Sequence, residues 1–219
     1  MKNHFDISDT FTIENNVKVY QMQRCFKYLE KQGKKTYGQS FAIHEQDRSV
    51  ILKLLVYAIR DKESALKLGI DLNKGIALTG PVGCGKTSLM HLIKPFIYAK
   101  HDYKIKTTRE VAFEFAKNGY DALSQYSSKL NNLNRLSGFC FDDLGSEKQI
   151  KHFGSECNVM AEILLSRYDK FVENNAVTHI TTNLSASEIE KIYGNRLRSR
   201  MREMFNLIAF DSSSLDKRT

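Results

Sequence analysis

The stretch Gly80-Pro81-Val82-Gly83-Cys84-Gly85-Lys86-Thr87 decides the fold of this 219-residue chain. It matches the pattern G-x-x-x-x-G-K-[ST] at every fixed position, follows the strand-like run Gly75–Thr79 and precedes a helical segment. In this pattern, glycines let backbone N–H groups curve around a phosphate at a helix N-terminus. A glycine-rich turn without a ligand is the alternative, but average residue usage makes a chance match rarer than about one in a hundred. The stretch therefore predicts a nucleotide site, which these residues form together with Ser88.

From Gly75 onward, short apolar segments alternate with longer helical ones. Five strands are predicted, at Gly75–Thr79, Tyr103–Thr107, Ser137–Phe141, Val177–Thr182 and Asn206–Phe210. Four helices are predicted between them, at Lys86–Lys100, Arg109–Tyr126, Glu156–Asn174 and Ala186–Tyr193, with Gly194 closing the last. Strands that alternate with helices form βαβ units and a mostly parallel sheet covered on both faces. The fold class is therefore predicted to be α/β, a three-layer sandwich around a five-stranded sheet.

Two acids follow the third predicted strand. In Gly138-Phe139-Cys140-Phe141-Asp142-Asp143, a buried strand delivers carboxylates at its carboxyl end, where the phosphate loop of a parallel sheet also lies. An isolated pair of acids at a strand end more often caps a helix or faces solvent in a turn, but this pair follows a phosphate loop. We therefore expect Asp142 to hold Mg²⁺ with Thr87, and Asp143 to act as general base on the attacking water.

Polar and basic residues follow the next predicted strand. Asn183 ends the sequence Thr181-Thr182-Asn183, where its amide would orient the attacking water or bind the γ-phosphate; in isolation it would be a turn residue. Five cations and no acid lie between Lys191 and Arg202. Such a run is ordinary on a protein surface. However, an arginine from a neighbouring subunit can also stabilise the charge of phosphoryl transfer.

These motifs carry a family resemblance. The phosphate loop, Phe141-Asp142-Asp143-Leu144-Gly145, Thr181-Thr182-Asn183 and Tyr193–Met201, in this order and spacing, resemble the AAA+ ATPases of the bacterial DnaC/IstB branch. Members of that branch are helicase loaders and ATP-dependent transposition helpers. The segment Glu162–Tyr168 resembles the same branch, and the resemblance covers the chain from about Phe41 onward. It implies a P-loop NTPase fold in which the TTN strand lies between the phosphate-loop and acid-pair strands, with ATP and Mg²⁺ as ligands.

The resemblance also implies residue roles, position by position. The residues that match the Walker A, Walker B and sensor-1 positions are Lys86, Thr87, Asp142, Asp143 and Asn183. Arg200 matches the arginine finger, with Arg196 as the second choice. Phe41-Ala42-Ile43 resembles the segment that lines the adenine pocket, so Ile43 is a candidate adenine contact.

The chain departs from the usual pattern of that family in three ways. Many AAA+ proteins have Glu where this chain has Asp143; Asp at this position occurs in the DnaC/IstB branch, but the shorter acid leaves the rate of hydrolysis open. The chain stops soon after its fifth predicted strand, so we expect no C-terminal lid domain; Arg218 in the tail is expected to fray. The first 40 residues resemble no known segment of that family. In such proteins the N-terminal region usually selects the partner.

The N-terminal segment is predicted to be a helical arm, residues 1–40, ahead of an ATPase domain over residues 41–219. Apolar residues recur at helical spacing over Val17–Lys31, and Gly33 between lysines is a typical helix stop. A second helix is predicted over Asp47–Arg60, with Asp47 as its N-cap. We expect the arm to bind the protein partner.

The composition indicates which class of partner and which cellular location are compatible with the chain. Lys and Arg total 33 against 25 Asp and Glu, a formal charge of +8, which is compatible with DNA but does not identify it. The apolar runs fall short of the roughly 20 residues of a membrane span, and the first residues lack the apolar core of a secretory signal. We therefore expect a cytoplasmic protein without membrane contact. Four separated cysteines and six scattered histidines indicate free thiols and no metal cluster.

Three functions remain open from the sequence alone. The first is an ATPase that loads or remodels a replicative helicase or a transposase on DNA, assembled as a homo-oligomeric ring or spiral with ATP between subunits. The second is a nucleotide-gated DNA- or protein-binding module with little hydrolysis, which the shorter acid Asp143 keeps open. The third is a P-loop small-molecule kinase, which the polar stretch Arg109–Leu133 disfavours because it contains no arginine cluster for a lid.

Overall fold

A computed structural model of the chain describes residues 5–128, 130, 136–147, 150–152 and 155–217. The strands are β1 Phe11–Glu14, β2 Val17–Tyr20, β3 Gly75–Thr79, β4 Tyr103–Thr107, β5 Gly138–Leu144, β6 Ile150–His152, β7 Ser155–Cys157, β8 Thr178–Thr182 and β9 Phe205–Ala209. The helices are α1 Met22–Tyr37, α2 Arg48–Ile59, α3 Lys62–Lys67, α4 Lys86–Leu92, α5 Thr108–Asn118, α6 Tyr120–Ser127, α7 Val159–Asn174 and α8 Ala186–Met204. Short 3-10 turns occur at Ile7–Thr10, Glu45–Asp47, Lys94–Phe96 and Ala99–His101. Leu133 and Arg218 lie outside the described residues.

The chain divides into two compact units. The first comprises the chain up to Ile70 together with Ser88–Tyr98, and the second comprises Asp71–Thr87 together with the chain from Ala99 onward. The boundary predicted between residues 40 and 41 lies inside the first unit. Within the described ranges, no helix combines the length and the apolar character that a membrane crossing requires.

The second unit is built on a five-stranded sheet in the order β4-β5-β8-β3-β9, and every neighbouring pair is parallel. The predicted α/β fold with a mostly parallel sheet is therefore confirmed. β8 lies between the phosphate-loop strand β3 and the acid-bearing strand β5, as the family resemblance implies. Phe141 and Ile180 of adjacent strands are fully buried in one core cluster with Phe115 of α5 and Leu164 of α7. Because the strands are parallel, the carboxyl ends of β3, β5 and β8 meet at one edge of the sheet.

Several predicted boundaries were wrong. β5 runs on through both acids to Leu144, so the acids lie within the strand rather than after it. The helix predicted to end at Lys100 stops at Leu92 and gives way to a 3-10 turn, since Pro95 there lacks the N–H that a helix needs. The helix predicted over Arg109–Tyr126 is two helices, which meet at Gly119 with a positive φ of 58°.

The predicted end of the next helix at Gly194 was also wrong. α8 bends at this glycine, whose φ of 84° and ψ of 157° are not helical, and then continues to Met204. The continuation buries Leu197, Met201 and Met204 in the core of the second unit. Packing of this apolar stripe therefore stabilises the helix beyond a residue that would otherwise end it.

In the first unit the predicted helix over Val17–Lys31 was wrong at its start, so the arm is only partly helical. β1 and β2 form an antiparallel hairpin, and α1 begins after it, at Met22. Gly33 does not stop α1, which continues to Tyr37. A Cβ at Gly33 would lie 2.2 Å from ring atoms of Phe41, so this glycine gives the aromatic ring room to pack against the helix.

Candidate nucleotide-binding site

The predicted phosphate loop joins the end of β3 to the start of α4. Gly85 has a φ of 99°, a backbone conformation that residues with a side chain rarely adopt. The loop therefore takes the strand-to-helix geometry that its sequence predicts, with the N-terminus of a helix directly after the glycines. Backbone N–H groups at such a terminus attract an anion.

The side chain of Lys86 lies inside this loop rather than in solvent. It is 8% exposed, and its Nζ donates hydrogen bonds to the carbonyl oxygens of Gly80 and Pro81, each at 2.8 Å. A buried ammonium group needs such partners, because desolvation of an unpaired charge is costly. The two contacts hold the positive charge at the start of the loop.

Thr87 and Asp142 meet although they are 55 residues apart in the sequence. The Thr87 hydroxyl donates to Oδ1 and Oδ2 of Asp142, at 2.9 and 3.0 Å. The Asp142 side chain is 4% exposed and also accepts a 2.7 Å hydrogen bond from the hydroxyl of Thr181 in β8. A hydroxyl and a carboxylate are oxygen donors of the kind that Mg²⁺ takes from proteins, so these residues fit the predicted metal role.

Thr181 is a residue of the candidate site for which the sequence predicts no role. Besides its bond to Asp142, its Oγ1 accepts a 2.8 Å hydrogen bond from the backbone N–H of Asp143. The β5–β8 register shifts between Phe141 and Leu144, and this irregularity lets one hydroxyl reach both acids. The strand order was implied by the family resemblance, but the bulge that brings Thr181 to both residues is not visible in the sequence.

Asp143 lies at the bulge with a φ of 60°, in the left-handed region that Asp tolerates better than most residues. Its backbone is fixed on both sides, because its carbonyl oxygen also accepts a 2.9 Å hydrogen bond from the Thr108 hydroxyl. Its side chain is exposed, and so is that of Asn183 directly after β8. Both polar groups therefore face solvent at the sheet edge that carries the phosphate loop.

Two predicted contacts lie in the other compact unit. Ser88 is in the first turn of α4, and Ile43 is half-buried in the segment before α2. Phe41 beside it stacks on Tyr37 with ring centroids 5.8 Å apart. The roles of Ser88 and Ile43 toward a nucleotide remain predictions.

Solved structures with a similar fold include the DnaC helicase loader and a protein described as a primosome component from Streptococcus pyogenes serotype M3. The first is 19% identical with a TM-score of 0.54, covering 77% of this chain and 92% of that chain. The second is 17% identical with a TM-score of 0.52, covering 78% and 83%. The chain has a fold similar to that of the DnaC helicase loader. No protein-family model and no curated protein sequence matches the chain.

Four arginines of the cation run, Arg196, Arg198, Arg200 and Arg202, lie on the part of α8 that follows the kink at Gly194. Arg200 is half-buried, and its guanidinium carbon lies 4.6 Å from the ring centroid of Tyr168 in α7. Arg198 forms an ion pair with Glu190, whereas Arg196 is exposed. The ring of Tyr168 therefore holds the guanidinium group of Arg200 at the surface by a cation–π contact.

Arg167 is a buried charged residue of the second unit. It is 1% exposed and donates to the Thr178 hydroxyl at 2.6 Å. It also donates to three backbone carbonyl oxygens, those of Tyr126, Ser137 and Val177. Desolvation lowers its pKa to about 10, which still leaves the group charged at neutral pH. In the sequence, Arg167 stands out only as part of the segment Glu162–Tyr168, which resembles the DnaC/IstB branch and predicts no role for it.

Proposed function

We propose that the chain binds ATP with Mg²⁺ at the phosphate loop and hydrolyses the ATP. The observation that carries this proposal is the contact of the Thr87 hydroxyl with the Asp142 carboxylate, at 2.9 and 3.0 Å. The contact joins the two motifs that supply metal-binding oxygens in nucleotide hydrolases. It lies beside a glycine-rich helix N-terminus that favours phosphate.

Different residues would bind the phosphates, bind Mg²⁺ and activate the attacking water. Lys86 and the loop N–H groups would hold the β- and γ-phosphates, and Thr87 and Asp142 would hold Mg²⁺. When bound there, Mg²⁺ supplies positive charge that offsets the charge of the phosphates. Asp143 would accept a proton from the attacking water, and Asn183 would orient that water by hydrogen bonding.

The Asp143→Asn variant tests the hydrolytic part of the proposal. The amide keeps the size of the side chain but cannot accept the proton, so we expect kcat for ATP to fall by about a hundredfold or more. Affinity for ATP should stay close to that of the parent, because the phosphate contacts are made by other residues. Phosphate release at saturating ATP and Mg²⁺ measures kcat, and calorimetric titration measures affinity.

Asp121→Asn is the matched control, since Asp121 is exposed on α6. An Asp143→Asn variant that hydrolyses ATP as fast as the parent would refute the role of Asp143. A parent chain that binds ATP tightly but scarcely hydrolyses it would favour the nucleotide-gated binding module over the ATPase.

We further propose that the ATPase loads a replicative helicase on DNA. Likeness in fold to the DnaC helicase loader supports a helicase rather than a transposase as the protein partner. The formal charge of +8 supports contact with the phosphates of DNA. A pull-down of purified helicase and of purified transposase, each with and without ATP, tests the choice; capture of the transposase alone would overturn it.

The proposed assembly is a ring or spiral in which Arg200 of one subunit acts on the ATP of the next. We expect Arg200→Ala to lower kcat by about a hundredfold, because the charge that offsets the transition state is lost, with nucleotide affinity little changed. Mixing Arg200→Ala with Lys86→Ala should restore part of the activity, since the first supplies intact loops and the second intact arginines.

Arg109→Ala, which removes an exposed arginine of α5, is the control for charge alone. Sedimentation of the parent with ATP measures the assembly. Full activity of Arg200→Ala, or a mixture that is no more active than its parts, would refute action between subunits.

A further inference from the structure

The segment after β9 returns to the phosphate loop. The backbone N–H of Phe210 donates to the carbonyl oxygen of Thr79 at 2.8 Å. This bond extends the pairing of β9 with β3 by one residue beyond the end of β9. Asp211 then forms a turn, in which its Oδ1 accepts hydrogen bonds from the N–H and the hydroxyl of Ser213, at 2.8 and 2.5 Å. Ser214, 7% exposed, closes the turn through a 3.0 Å bond to the Asp211 carbonyl oxygen. This turn reverses the chain and directs the residues that follow toward the loop.

Lys217 binds two consecutive carbonyl groups of the loop. Its backbone N–H donates to the carbonyl oxygen of Gly83 at 3.1 Å, and its Nζ donates to that of Cys84 at 2.8 Å. The same Nζ lies 5.1 Å from the centroid of the Phe210 ring. One residue therefore fixes two neighbouring peptide groups of the loop.

The glycine at position 83 supports the same contact. The phosphate-loop pattern leaves this position free, yet a Cβ built on Gly83 would lie 2.0 Å from Oδ1 of Asp216. The φ of Gly83 is 80°, which a residue with a side chain would adopt only with strain. The carboxylate of Asp216, next to Lys217, therefore occupies the space that a side chain at position 83 would need.

A planar trans peptide carries its C=O and the following N–H on opposite sides. Where Lys217 holds the carbonyls of Gly83 and Cys84 on one side, the N–H groups of Cys84 and Gly85 point to the other, where the Cys84 N–H makes a long hydrogen bond of 3.5 Å to the carbonyl oxygen of Pro81. We propose that Lys217 is a positioning residue, which holds the loop in the conformation whose N–H groups receive phosphate. This inference rests on the proposed nucleotide function and adds a residue that the phosphate-loop motif does not contain.

Loss of the Lys217 ammonium should loosen the loop without removing any group that touches ATP. Because the loop would then have to be ordered on binding, we expect the ATP dissociation constant and KM to rise about three- to tenfold. The kcat at saturation should stay unchanged, since the bound loop has the same contacts in variant and parent.

The test compares Lys217→Met, Lys217→Arg and a chain ending at Leu215. Lys217→Met keeps the backbone N–H and loses the ammonium, whereas truncation loses both contacts, so affinity should fall further in the truncated chain. Lys217→Arg keeps a charged donor and should recover most of the affinity. Lys117→Met, at an exposed position of α5, is the control.

Two readouts separate this inference from the proposed function. Hydrogen exchange of the amides at residues 80–87, in protein without nucleotide, should speed up in Lys217→Met and in the truncated chain. Titration with ATP and Mg²⁺ should show the loss of affinity. Unchanged exchange, unchanged affinity or tighter binding in these two variants would overturn the positioning role while the ATPase proposal stands. A parent chain that does not bind ATP would overturn the ATPase proposal, and the exchange measurement would still decide whether Lys217 orders the loop.

Discussion

Replacing Lys86 by alanine should lower the affinity for ATP by at least about a hundredfold. In the parent the ammonium group is buried within the loop and bound to the carbonyl oxygens of Gly80 and Pro81, at 2.8 Å each. A charge held there in a largely desolvated site interacts with a phosphate more strongly than a charge in water does. The variant removes this charge and its hydrogen bonds to both carbonyl groups.

Calorimetric titration of ATP with Mg²⁺ into the folded variant measures the effect. Lys117→Ala makes the same change of size and charge at an exposed position of α5, and it should bind ATP as the parent does. A thermal unfolding curve shows whether Lys86→Ala remains folded. Near-parental affinity in a folded Lys86→Ala variant would remove the basis of the proposed nucleotide function.

Local patterns were enough to predict the strand, glycine-rich loop and helix start around Gly80–Thr87 and the five main strands. The loop pattern constrains backbone and side chains within a few residues, and buried parallel strands are marked by short apolar runs. The order of these strands followed from the family resemblance and was confirmed. At β3 the predicted and observed bounds coincide, Gly75–Thr79.

Glycines account for much of what was predicted wrongly. Gly33 and Gly194 were predicted to end helices, but one makes room for the Phe41 ring and the other allows a kink. Whether a glycine ends a helix depends on what packs beyond it, which is a tertiary property. The hairpin before α1 was missed because its strands are only four residues each, too short to separate alternation from helical spacing.

The missed site residues share a different cause. Thr181 binds the Asp142 carboxylate on the neighbouring strand. Lys217 binds the phosphate loop because a turn after β9 returns the chain to it. Lys217 belongs to no motif and Thr181 only opens the Thr181-Thr182-Asn183 run, and each contacts a residue at least 39 positions away in the sequence. Motifs identify the groups that touch ligand, whereas the groups that hold them in position depend on the fold.

Arg167→Met should destabilise the folded chain by at least about 3 kcal/mol. Methionine fills the volume of the aliphatic stem but donates no hydrogen bond, so the Thr178 hydroxyl loses its donor. The carbonyl oxygens of Tyr126, Ser137 and Val177 lose theirs as well. Two of these carbonyls directly precede β5 and β8, the strands that carry Asp142 and Thr181, so the loss should act on the whole sheet.

Urea unfolding, followed by circular dichroism, measures the change in the free energy of unfolding. Arg109→Met removes an exposed guanidinium group from α5 and should change this free energy by less than about 0.5 kcal/mol. Arg167→Lys keeps a charge but not the planar set of donors, so it should fall between the parent and Arg167→Met. Stability of Arg167→Met equal to that of Arg109→Met would show that the four hydrogen bonds contribute no net stability to the fold.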